Sequence, residues 1–397
     1  MIRLEARATS ERLDLRALAI GTDADLAKPS SGAVGDAHQR QLKYASILAD
    51  YHLVVRTVGG RRFSRCWGAG FTAHATASPN RATFPVDAFR LGGRLHRAIR
   101  FDLLSTEDPM LCGLAGYLLK RRFGLPLSVQ LAGDMLDNPY WLADRPINRL
   151  LNVLGKCLVR RADTVRVVSN SERVKLVRLG VPPDRIWNLG WMSDFSRFLA
   201  ADGRALREEL LAGRYAQLVL FVGRLVKQKD LPTLLRAAAL VHRERPGVRF
   251  VLVGGGREGR RAHRLAGELQ LGDALLMTGP VAHESVPAYY AACDVFTLAS
   301  RYEGNARVLA EAAAAAKPLV TTDVSGARDT VLEGETGRII PVGHPYELAA
   351  RLLEMLADPD GSIEMGRRAR EHVLRLYSDD CLLAGFRELW RATAARG

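Results

Sequence analysis

Residues 218–230 read LVLFVGRLVKQKD and have the form that decides the fold. An apolar run ends at Gly223, a basic loop follows, and a helical pattern, LPTLLRAAALV, begins at Leu231. A short apolar run that is bounded by glycine and followed by a helix predicts a buried parallel strand with its crossover helix. Because open α/β sheets bind ligands at the carboxyl ends of their strands, the basic loop is expected to face a ligand.

The same pattern recurs along the chain and predicts an α/β protein with two doubly wound domains that face each other across a cleft. We place the first domain at residues 1–200, the second at 201–375, and a C-terminal helix at 376–397 that packs back toward the first domain. A polar stretch at 198–214 marks the boundary. The other apolar runs are residues 15–20, 52–58, 99–105, 127–132 and 164–169 in the first half, and those ending at Gly254, Gly279, Ala299 and Asp323 in the second.

The segment EGNARVLAE, residues 303–311, follows one of these runs and opens an alanine-rich helix. Glycine before a helix lets backbone amides approach a ligand, and the amides of a helix N-terminus bind anions. Glu303 lies in the loop and Glu311 lies one to two turns inside the helix, so the two carboxylates can hold hydroxyls on either side of a bound phosphate. The alternative is that both are solvated surface carboxylates.

Arg224 and Lys229 belong to the basic loop after the first quoted strand. The Arg224 guanidinium offers a planar fork for phosphate, and Lys229 adds a mobile point charge. Together they suit a diphosphate leaving group on which negative charge builds. A solvated turn explains the same residues if they are taken alone.

At these residues the chain resembles the retaining glycosyltransferases of family 4, which have the GT-B fold, and the resemblance extends over nearly the whole length. The family's G-R-L-x-x-x-K segment matches residues 223–229, its L-V-G-x-G segment matches 252–256, and its E-x7-E signature matches Glu303 and Glu311. Looser matches are F-x-G-x-V at Met277, Gly279 and Val281, G-E-T-G at 334–337, and G-D-P-x-x-L at 343–348, with His344 where aspartate is usual.

The resemblance implies roles for these residues in binding a nucleoside-diphosphate sugar. Arg224 and Lys229 hold the diphosphate, Glu303 holds the donor sugar, and these three residues are the catalytic set. Glu311 holds the ribose, the backbone at 277–281 holds the base, and the amides at 304–307 face phosphate and sugar. No cofactor and no obligatory metal is expected. The donor-binding set is Gly223, Gly254, Met277, Gly279, Val281, Gly304, Asn305, Ala306, Arg307 and Glu311.

The first half resembles the family more weakly, on the side where the acceptor is expected. A glycine-containing loop at 30–36 precedes a helix that begins near His38, and it resembles the family's G-G loop. The family's V-x-x-H-G-D segment is Val129 to Asp134 here, with Ala132 where histidine is usual. Either a neighbour such as Asp134 or His38 replaces that imidazole, or the donor geometry differs. The acceptor-side residues are therefore Gly35, Asp36, His38 and Asp134.

Two other motifs favour different chemistry, and neither has the context that it needs. Gly254, Gly256 and Gly259 spell the dinucleotide fingerprint G-x-G-x-x-G, but the next strand, ALLMTG, has no acidic residue for the ribose of a nicotinamide cofactor. Asp-x-Asp occurs at 23–25 and 358–360, and we assign both to solvated loops.

Positive charge is concentrated in the first half of the chain. The net charge is +14; Lys and Arg exceed Asp and Glu by 12 in residues 1–200 and by only two in 201–397. Residues 61–100 combine eight arginines with Phe63, Trp67, Phe71 and Phe89, a pattern suited to an anionic membrane surface. A solvated face is the alternative. The chain has no nucleic-acid-binding signature, so no nucleic-acid partner is expected.

The termini and cysteines indicate a cytoplasmic protein that can attach to the inner face of the cell membrane. The N-terminal residues lack an apolar signal region, no run of 18 apolar residues occurs, and the five cysteines are widely spaced. We expect a hexosyltransferase of retaining type that uses a lipid-linked or polysaccharide acceptor in cell-envelope glycan synthesis. The alternatives are a sugar-nucleotide epimerase or hydrolase, and a noncatalytic nucleotide-sugar-binding subunit.

Overall fold

A computed structural model describes residues 12–27, 36–59, 62–68, 70–192 and 194–397. Contacts within the chain divide it into two compact units. The first unit ends at residue 193 and also takes in the C-terminal segment from residue 377, and the second unit is residues 194–376. No helix among the described residues combines the length and the apolar character that a membrane span needs.

Unit 1 contains an eight-stranded sheet with the order β3-β4-β2-β1-β5-β6-β7-β8. All neighbouring strands are parallel except β3 and β4, which form an antiparallel pair at one edge. The strands are β1 Leu13–Gly21, β2 Leu48–Val55, β3 Ser64–Gly68, β4 Phe71–Ala75, β5 Leu103–Thr106, β6 Leu127–Gln130, β7 Thr164–Val167 and β8 Ile186–Asn188.

Strands β5, β6 and β7 are buried along their whole length. This is typical of a parallel sheet that helices cover on both faces. The last helix of the chain lies against β5, β6 and β7, where Thr393 and Thr164 share a hydrogen bond of 2.7 Å between their hydroxyls. The helices of unit 1 are α1 Asp36–Ser46, α2 Phe84–Ile99, α3 Leu111–Phe123, α4 Pro139–Asp144, α5 Ile147–Val159, α6 Asn170–Arg178 and, at the C-terminus, α16 Asp379–Ala394.

Unit 2 contains a six-stranded, fully parallel sheet with the order β11-β10-β9-β12-β13-β14. Its strands are β9 Gln217–Val222, β10 Val248–Val253, β11 Leu275–Gly279, β12 Val295–Leu298, β13 Leu319–Thr322 and β14 Gly337–Ile340. Its helices are α7 Ser196–Leu199, α8 Arg204–Leu211, α9 Leu231–Glu244, α10 Gly259–Glu268, α11 Val286–Ala292, α12 Arg307–Ala314, α13 Ala327–Thr330, α14 Pro345–Ala357 and α15 Pro359–Leu376.

Of the aromatic residues expected at a membrane surface, Phe71 is buried, and Trp67 and Phe89 contact other parts of unit 1. Residues 64–68 and 71–75 form the β3–β4 pair, which the sequence pattern did not predict, and Phe71 on β4 is fully buried. Phe89 packs against the core of unit 1, and the Trp67 indole donates a hydrogen bond to the carbonyl oxygen of Leu26. Phe71 therefore does not face outward, and contact of this region with a membrane surface stays a prediction.

Candidate active site

Backbone hydrogen bonds join the loops that follow β9, β10 and β11 in unit 2. The Gly223 amide donates to the Val253 carbonyl at 2.9 Å, and the Gly254 amide donates to the Gly279 carbonyl at 3.0 Å. Gly254 has φ = 133°, and a Cβ at this position would overlap the carbonyl oxygen of Gly223. Glycine is therefore required for the close approach of these two loops. The result is one connected rim at the carboxyl end of the sheet.

A buried ion pair joins two of the predicted catalytic residues at this rim. The Lys229 ammonium lies 2.5 Å from Oε1 of Glu303, and both side chains are about one-tenth exposed. Lys229 follows β9 and Glu303 follows β12, and these strands are neighbours in the sheet. Adjacent parallel strands thus bring together residues that are 74 positions apart in the sequence.

Three polar residues that the sequence did not single out hold the Glu303 carboxylate and its loop. The Ser300 hydroxyl donates to Oε1 of Glu303 at 2.6 Å, and the Gln228 amide donates to Oε2 at 3.3 Å. Gln228 also donates to the Tyr302 carbonyl at 2.8 Å, and the Thr322 hydroxyl donates to the Ser300 carbonyl at 2.7 Å. The carboxylate is therefore fixed in orientation before any ligand arrives. Of these three residues, only Ser300 could have been indicated by the sequence, because it closely follows a predicted strand.

Helix α12 begins at Arg307, directly after the Glu303 loop. Ala306 precedes the helix without a side-chain cap, and Asn305 and Ala306 are both buried. The first amides of a helix have no partner within the helix, so an uncapped start can bind an anion. Gly326 packs so closely on Gly304 that a Cβ there would lie 2.8 Å from the Gly304 carbonyl oxygen. The backbone at Gly304 is thus held in place by Gly326, and the contact of residues 304–307 with a phosphate stays a prediction.

Glu311 lies on α12 and is held by a tyrosine. The Tyr290 hydroxyl donates to Oε2 of Glu311 at 2.9 Å, and an Arg307 nitrogen lies 4.0 Å from Oε1. Burial, and then the negative charge of Glu311, keep the pKa of Tyr290 well above its ordinary range. The phenol therefore stays protonated and donates a hydrogen bond to the Glu311 carboxylate. No motif indicated Tyr290, because its hydrogen bond joins two helices across 21 positions of the sequence.

The remaining donor-side residues line the same end of the sheet with more exposure. Arg224 directly follows β9 and is exposed. Met277 on β11 and Val281 after it are half-buried, because β11 is an edge strand. Their assignment to the base stays a prediction. Within the described part of the chain, no group of three or more His, Cys, Asp or Glu residues is arranged to hold a metal ion.

Unit 1 has a pocket of its own, about 370 Å³ in volume, and Ala132 lines it. Asp134 is not among the lining residues; it forms an ion pair with Lys175 and accepts a hydrogen bond of 2.8 Å from Asn138. Asp134 therefore lies outside the lining of this pocket, and its assignment to the acceptor side stays a prediction. The lining residues are Thr22, Asp23, Arg40, Glu107, Gln130, Ala132 and Trp191.

Of the other acceptor-side residues, Asp36 and His38 lie in the first turn of α1. The His38 ring lies 4.1 Å from the Trp67 ring, and burial together with the nearby Arg65 lowers the pKa of His38. His38 does not line the pocket of unit 1. Gly35 lies outside the described residues, and Asp36 is described only as the first residue of α1, without its side chain.

Two family models match the chain, one in each unit. Residues 204–372 match the family described as "Glycosyl transferases group 1", and residues 40–190 match the "Glycosyl transferase 4-like domain". A curated relative, D-inositol 3-phosphate glycosyltransferase 2 of Catenulispora acidiphila, is 30% identical over 76% of this chain and 70% of its own length.

Solved structures share the fold. Sucrose-phosphate synthase from Thermosynechococcus elongatus superposes with a TM-score of 0.81 over 96% of this chain and all of that one, at 23% identity. Anabaena Alr3699/HepE in complex with UDP-glucose superposes with a TM-score of 0.73 over 95% of this chain and 99% of that one, at 18% identity.

Proposed function

Because this chain belongs to the group 1 glycosyltransferases and has the GT-B fold, we propose that it moves a hexose from a nucleoside-diphosphate sugar to an acceptor with retention. The proposed acceptor is a lipid-linked or polysaccharide intermediate of cell-envelope glycan synthesis. One observation carries the proposal: the buried Lys229–Glu303 pair lies beside the uncapped start of α12. A cation, a carboxylate and the N-terminal amides of a helix at one edge of a sheet can bind a diphosphate together with a sugar.

The proposed roles follow from charge and reach. Lys229 and the exposed Arg224 neutralise the diphosphate, whose negative charge grows as the glycosidic bond breaks. Glu303, held by Ser300 and Gln228, accepts hydrogen bonds from the sugar hydroxyls. Glu311, oriented by Tyr290, accepts them from the ribose.

The proposed transfer needs no nucleophile from the protein. The bond between the anomeric carbon and the diphosphate oxygen breaks, and the acceptor oxygen bonds to the same face of that carbon. The acceptor proton passes to the departing diphosphate oxygen, so charge and atoms balance. Stabilisation of the leaving group by fixed cations and amides then supplies most of the catalysis.

An anionic membrane surface is the proposed partner of unit 1. Arg90, Arg94 and Arg97 are exposed on α2, and their spacing places them along one side of this helix. Each cation near an anionic surface contributes roughly 1 kcal/mol of attraction. This support comes from the arginines, since Phe71 is buried and Trp67 and Phe89 are half-buried.

A small soluble polyol is a second candidate acceptor. The curated relative's name refers to D-inositol 3-phosphate, and the unit 1 pocket has the volume of a small polar ligand rather than of a polymer. Both acceptors leave the donor chemistry unchanged.

Product analysis tests the proposal. The protein is incubated with UDP-, GDP- and ADP-sugars in the presence and absence of membrane extracts, and the anomeric configuration of the product is read by NMR. Transfer with retention is expected. Conversion of the donor sugar without acceptor would indicate an epimerase or hydrolase, and donor binding without turnover would indicate a binding subunit.

The role of Lys229 is tested in the same assay. Lys229→Ala should reduce turnover far more than it weakens acceptor binding, because the cation acts on the leaving group. Lys227→Ala removes an equal charge from an exposed position in the same loop and should retain most of the activity. Equal losses of turnover and acceptor binding in Lys229→Ala would refute the role.

A further inference from the structure

The residue that follows Lys229 has an unusual backbone conformation. Asp230 has φ = 44° and ψ = 53°, which lie in the left-handed region, and it is only 4% exposed. Residues other than glycine rarely adopt this conformation, although aspartate and asparagine tolerate it better than most. At Asp230 the chain leaves the short turn of Lys227–Lys229 and enters helix α9. The conformation of Asp230 therefore sets the direction in which this turn, and with it Lys229, is held.

The Asp230 carboxylate does not cap the helix that it precedes. An aspartate directly before a helix ordinarily accepts a hydrogen bond from a backbone amide of the first turn, but within the described residues the Asp230 side chain accepts none of this kind. Its Oδ1 instead accepts from the Arg301 guanidinium at 3.0 Å, and its Oδ2 accepts from the Thr233 hydroxyl at 2.9 Å. The carboxylate is therefore directed toward the loop that follows β12.

Arg301 contacts the chain on both sides of Lys229. Its guanidinium holds Asp230, and its backbone amide donates to the Gln228 carbonyl oxygen at 2.8 Å. Lys229 itself pairs with Glu303, which lies two residues after Arg301. The loop after β9 and the loop after β12 are therefore joined at three consecutive residues of the first loop, and Lys229 is the middle one.

The two ion pairs between these loops differ in their exposure to solvent. The side chain of Asp230 is 5% exposed and that of Arg301 is 42% exposed, whereas both members of the Lys229–Glu303 pair are buried. Because the Arg301 guanidinium reaches solvent, its removal opens no cavity in the core of unit 2. The effect of losing Arg301 is therefore expected in the two loops rather than in the packing of the sheet.

We propose that Asp230 and Arg301 are positioning residues for the transfer and that they act through Lys229. Their ion pair fixes the turn at residues 228–230, so the Lys229 ammonium is already in place when charge develops on the departing diphosphate. A cation that needs no rearrangement during the reaction stabilises the transition state more than one that must first be ordered. This inference rests on the proposed function for the role of Lys229, but the fixed turn can be measured without any reaction.

The first measurement is the rate at which Lys229 is acetylated by a water-soluble N-hydroxysuccinimide ester, read by peptide mass spectrometry on the full chain. Lys227 is exposed in the same turn and serves as the internal standard. In the wild type, Lys229 should react more slowly than Lys227, because its ammonium is buried and paired. Asp230→Gly and Arg301→Met should each raise the ratio of the Lys229 rate to the Lys227 rate about fivefold or more, because a released turn exposes the amine.

Asp230→Gly separates the role of the carboxylate from that of the backbone conformation. Glycine adopts φ = 44° without steric cost, so the left-handed turn stays available while the contact with Arg301 is lost. If only the backbone conformation mattered, Asp230→Gly would behave like the wild type. Asp230→Asn and Arg301→Lys each keep a polar contact between the loops and should fall between the wild type and the full loss.

The second measurement is the kinetics of sugar transfer. Asp230→Gly and Arg301→Met should each lower kcat about tenfold and change the KM for the nucleotide-sugar by less than about threefold, because Lys229 acts mainly in the transition state. The double variant should be no slower than the slower single variant, since the two residues form one contact.

Two control variants change similar features elsewhere in unit 2. Gln270→Gly replaces an exposed residue that is also left-handed, with φ = 56°. Arg204→Met breaks an exposed ion pair with Asp202. Both controls should leave the ratio of acetylation rates and kcat at their wild-type values.

An unchanged ratio of acetylation rates in either Asp230→Gly or Arg301→Met would overturn the proposal. Where the wild type transfers sugar, a wild-type kcat in either variant would overturn it as well, and so would a double variant that is about a hundredfold slower, since the two residues would then act separately. These results would leave the proposed function standing. The predicted change in acetylation, in a protein that transfers sugar from no nucleotide-sugar, would reject the proposed function instead.

Discussion

Breaking the buried Lys229–Glu303 pair should destabilise unit 2 by about 3 kcal/mol. Removing one partner of a buried ion pair typically costs 3–5 kcal/mol, because the other charge is left in a poorly solvated site. Lys229→Met keeps the apolar stem and removes the ammonium. Ser300 and Gln228 still donate to Glu303, so the lower end of the range is expected.

The assay must report on unit 2 specifically. All five tryptophans of the chain lie in unit 1, so their fluorescence follows that unit. Hydrogen exchange of the amides of β9 and β12 follows unit 2. A loss of 3 kcal/mol corresponds to roughly a hundredfold faster exchange of the most protected amides.

The double variant Lys229→Met/Glu303→Gln should recover at least 1 kcal/mol, since neither charge is then left unpaired. As a control, Arg214→Met breaks an exposed pair with Asp273 and should change stability by less than about 0.5 kcal/mol. Normal protection in Lys229→Met, or a double variant as unstable as the sum of the single ones, would refute the reasoning.

Three further predictions concern other contacts. Gly254→Ala should destabilise unit 2 and abolish donor binding, because the added Cβ would overlap the backbone of Gly223. Gly267→Ala in helix α10 should raise stability by up to about 1 kcal/mol, because its added Cβ meets nothing within 4 Å. Urea unfolding of both variants tests these two expectations. Tyr290→Phe should weaken nucleotide-sugar binding about fivefold, since Glu311 loses its donor, and no change in a titration would contradict this. Burial raises the pKa of Glu172 from 4.5 to about 8, so the folded state holds a proton between these values that the unfolded state has lost, and stability should fall as pH rises from 5 to 8. Glu172→Gln should remove that decline in unfolding free energies measured across this range, and an equal decline in both proteins would show that another group is responsible.

The second unit was readable from sequence because its strands are buried on both faces. Runs such as LVLFV and FVLV are continuous apolar segments that are followed by glycine, and the structure places β9 and β10 there. Since all strands of a parallel sheet run in the same direction, the loops that carry Lys229 and Glu303 could be assigned to the same edge of the sheet. Their direct ion pair could not be predicted, because it requires β9 and β12 to be neighbours in the sheet.

The first unit was harder to predict for two physical reasons. The strands β3 and β4 are short and form an edge pair, so they lack the apolar run that marks a buried parallel strand. Arg166 lies within the apolar run of β7, and only the fold supplies its partners, which come from Gln130 and from the chain after β8. A buried arginine inside a strand gives no sequence signal of the pocket above it.

The contacts of Asp134 and His38 could not be predicted by matching motifs. Both residues lie close in sequence to positions that matter in the resembling family. Asp134 is instead held by Lys175, and His38 packs on Trp67. Ala132 does line the pocket, so the departure from the family's motif changes a wall of the pocket. A histidine at this position would give that wall a different shape.

Nucleotide-sugar binding is the most direct test of the central claim that unit 2 holds the donor. The measurement is thermal unfolding with UDP-, GDP- and ADP-glucose, each in the presence of EDTA. At about 100 times its dissociation constant, the right donor should stabilise the protein by roughly 2.7 kcal/mol. This stabilisation should disappear in Glu311→Ala and persist in Arg214→Met, which removes only an exposed charge. If no nucleotide-sugar stabilises the wild type, or if Glu311→Ala responds like the wild type, the assignment of the donor site is wrong.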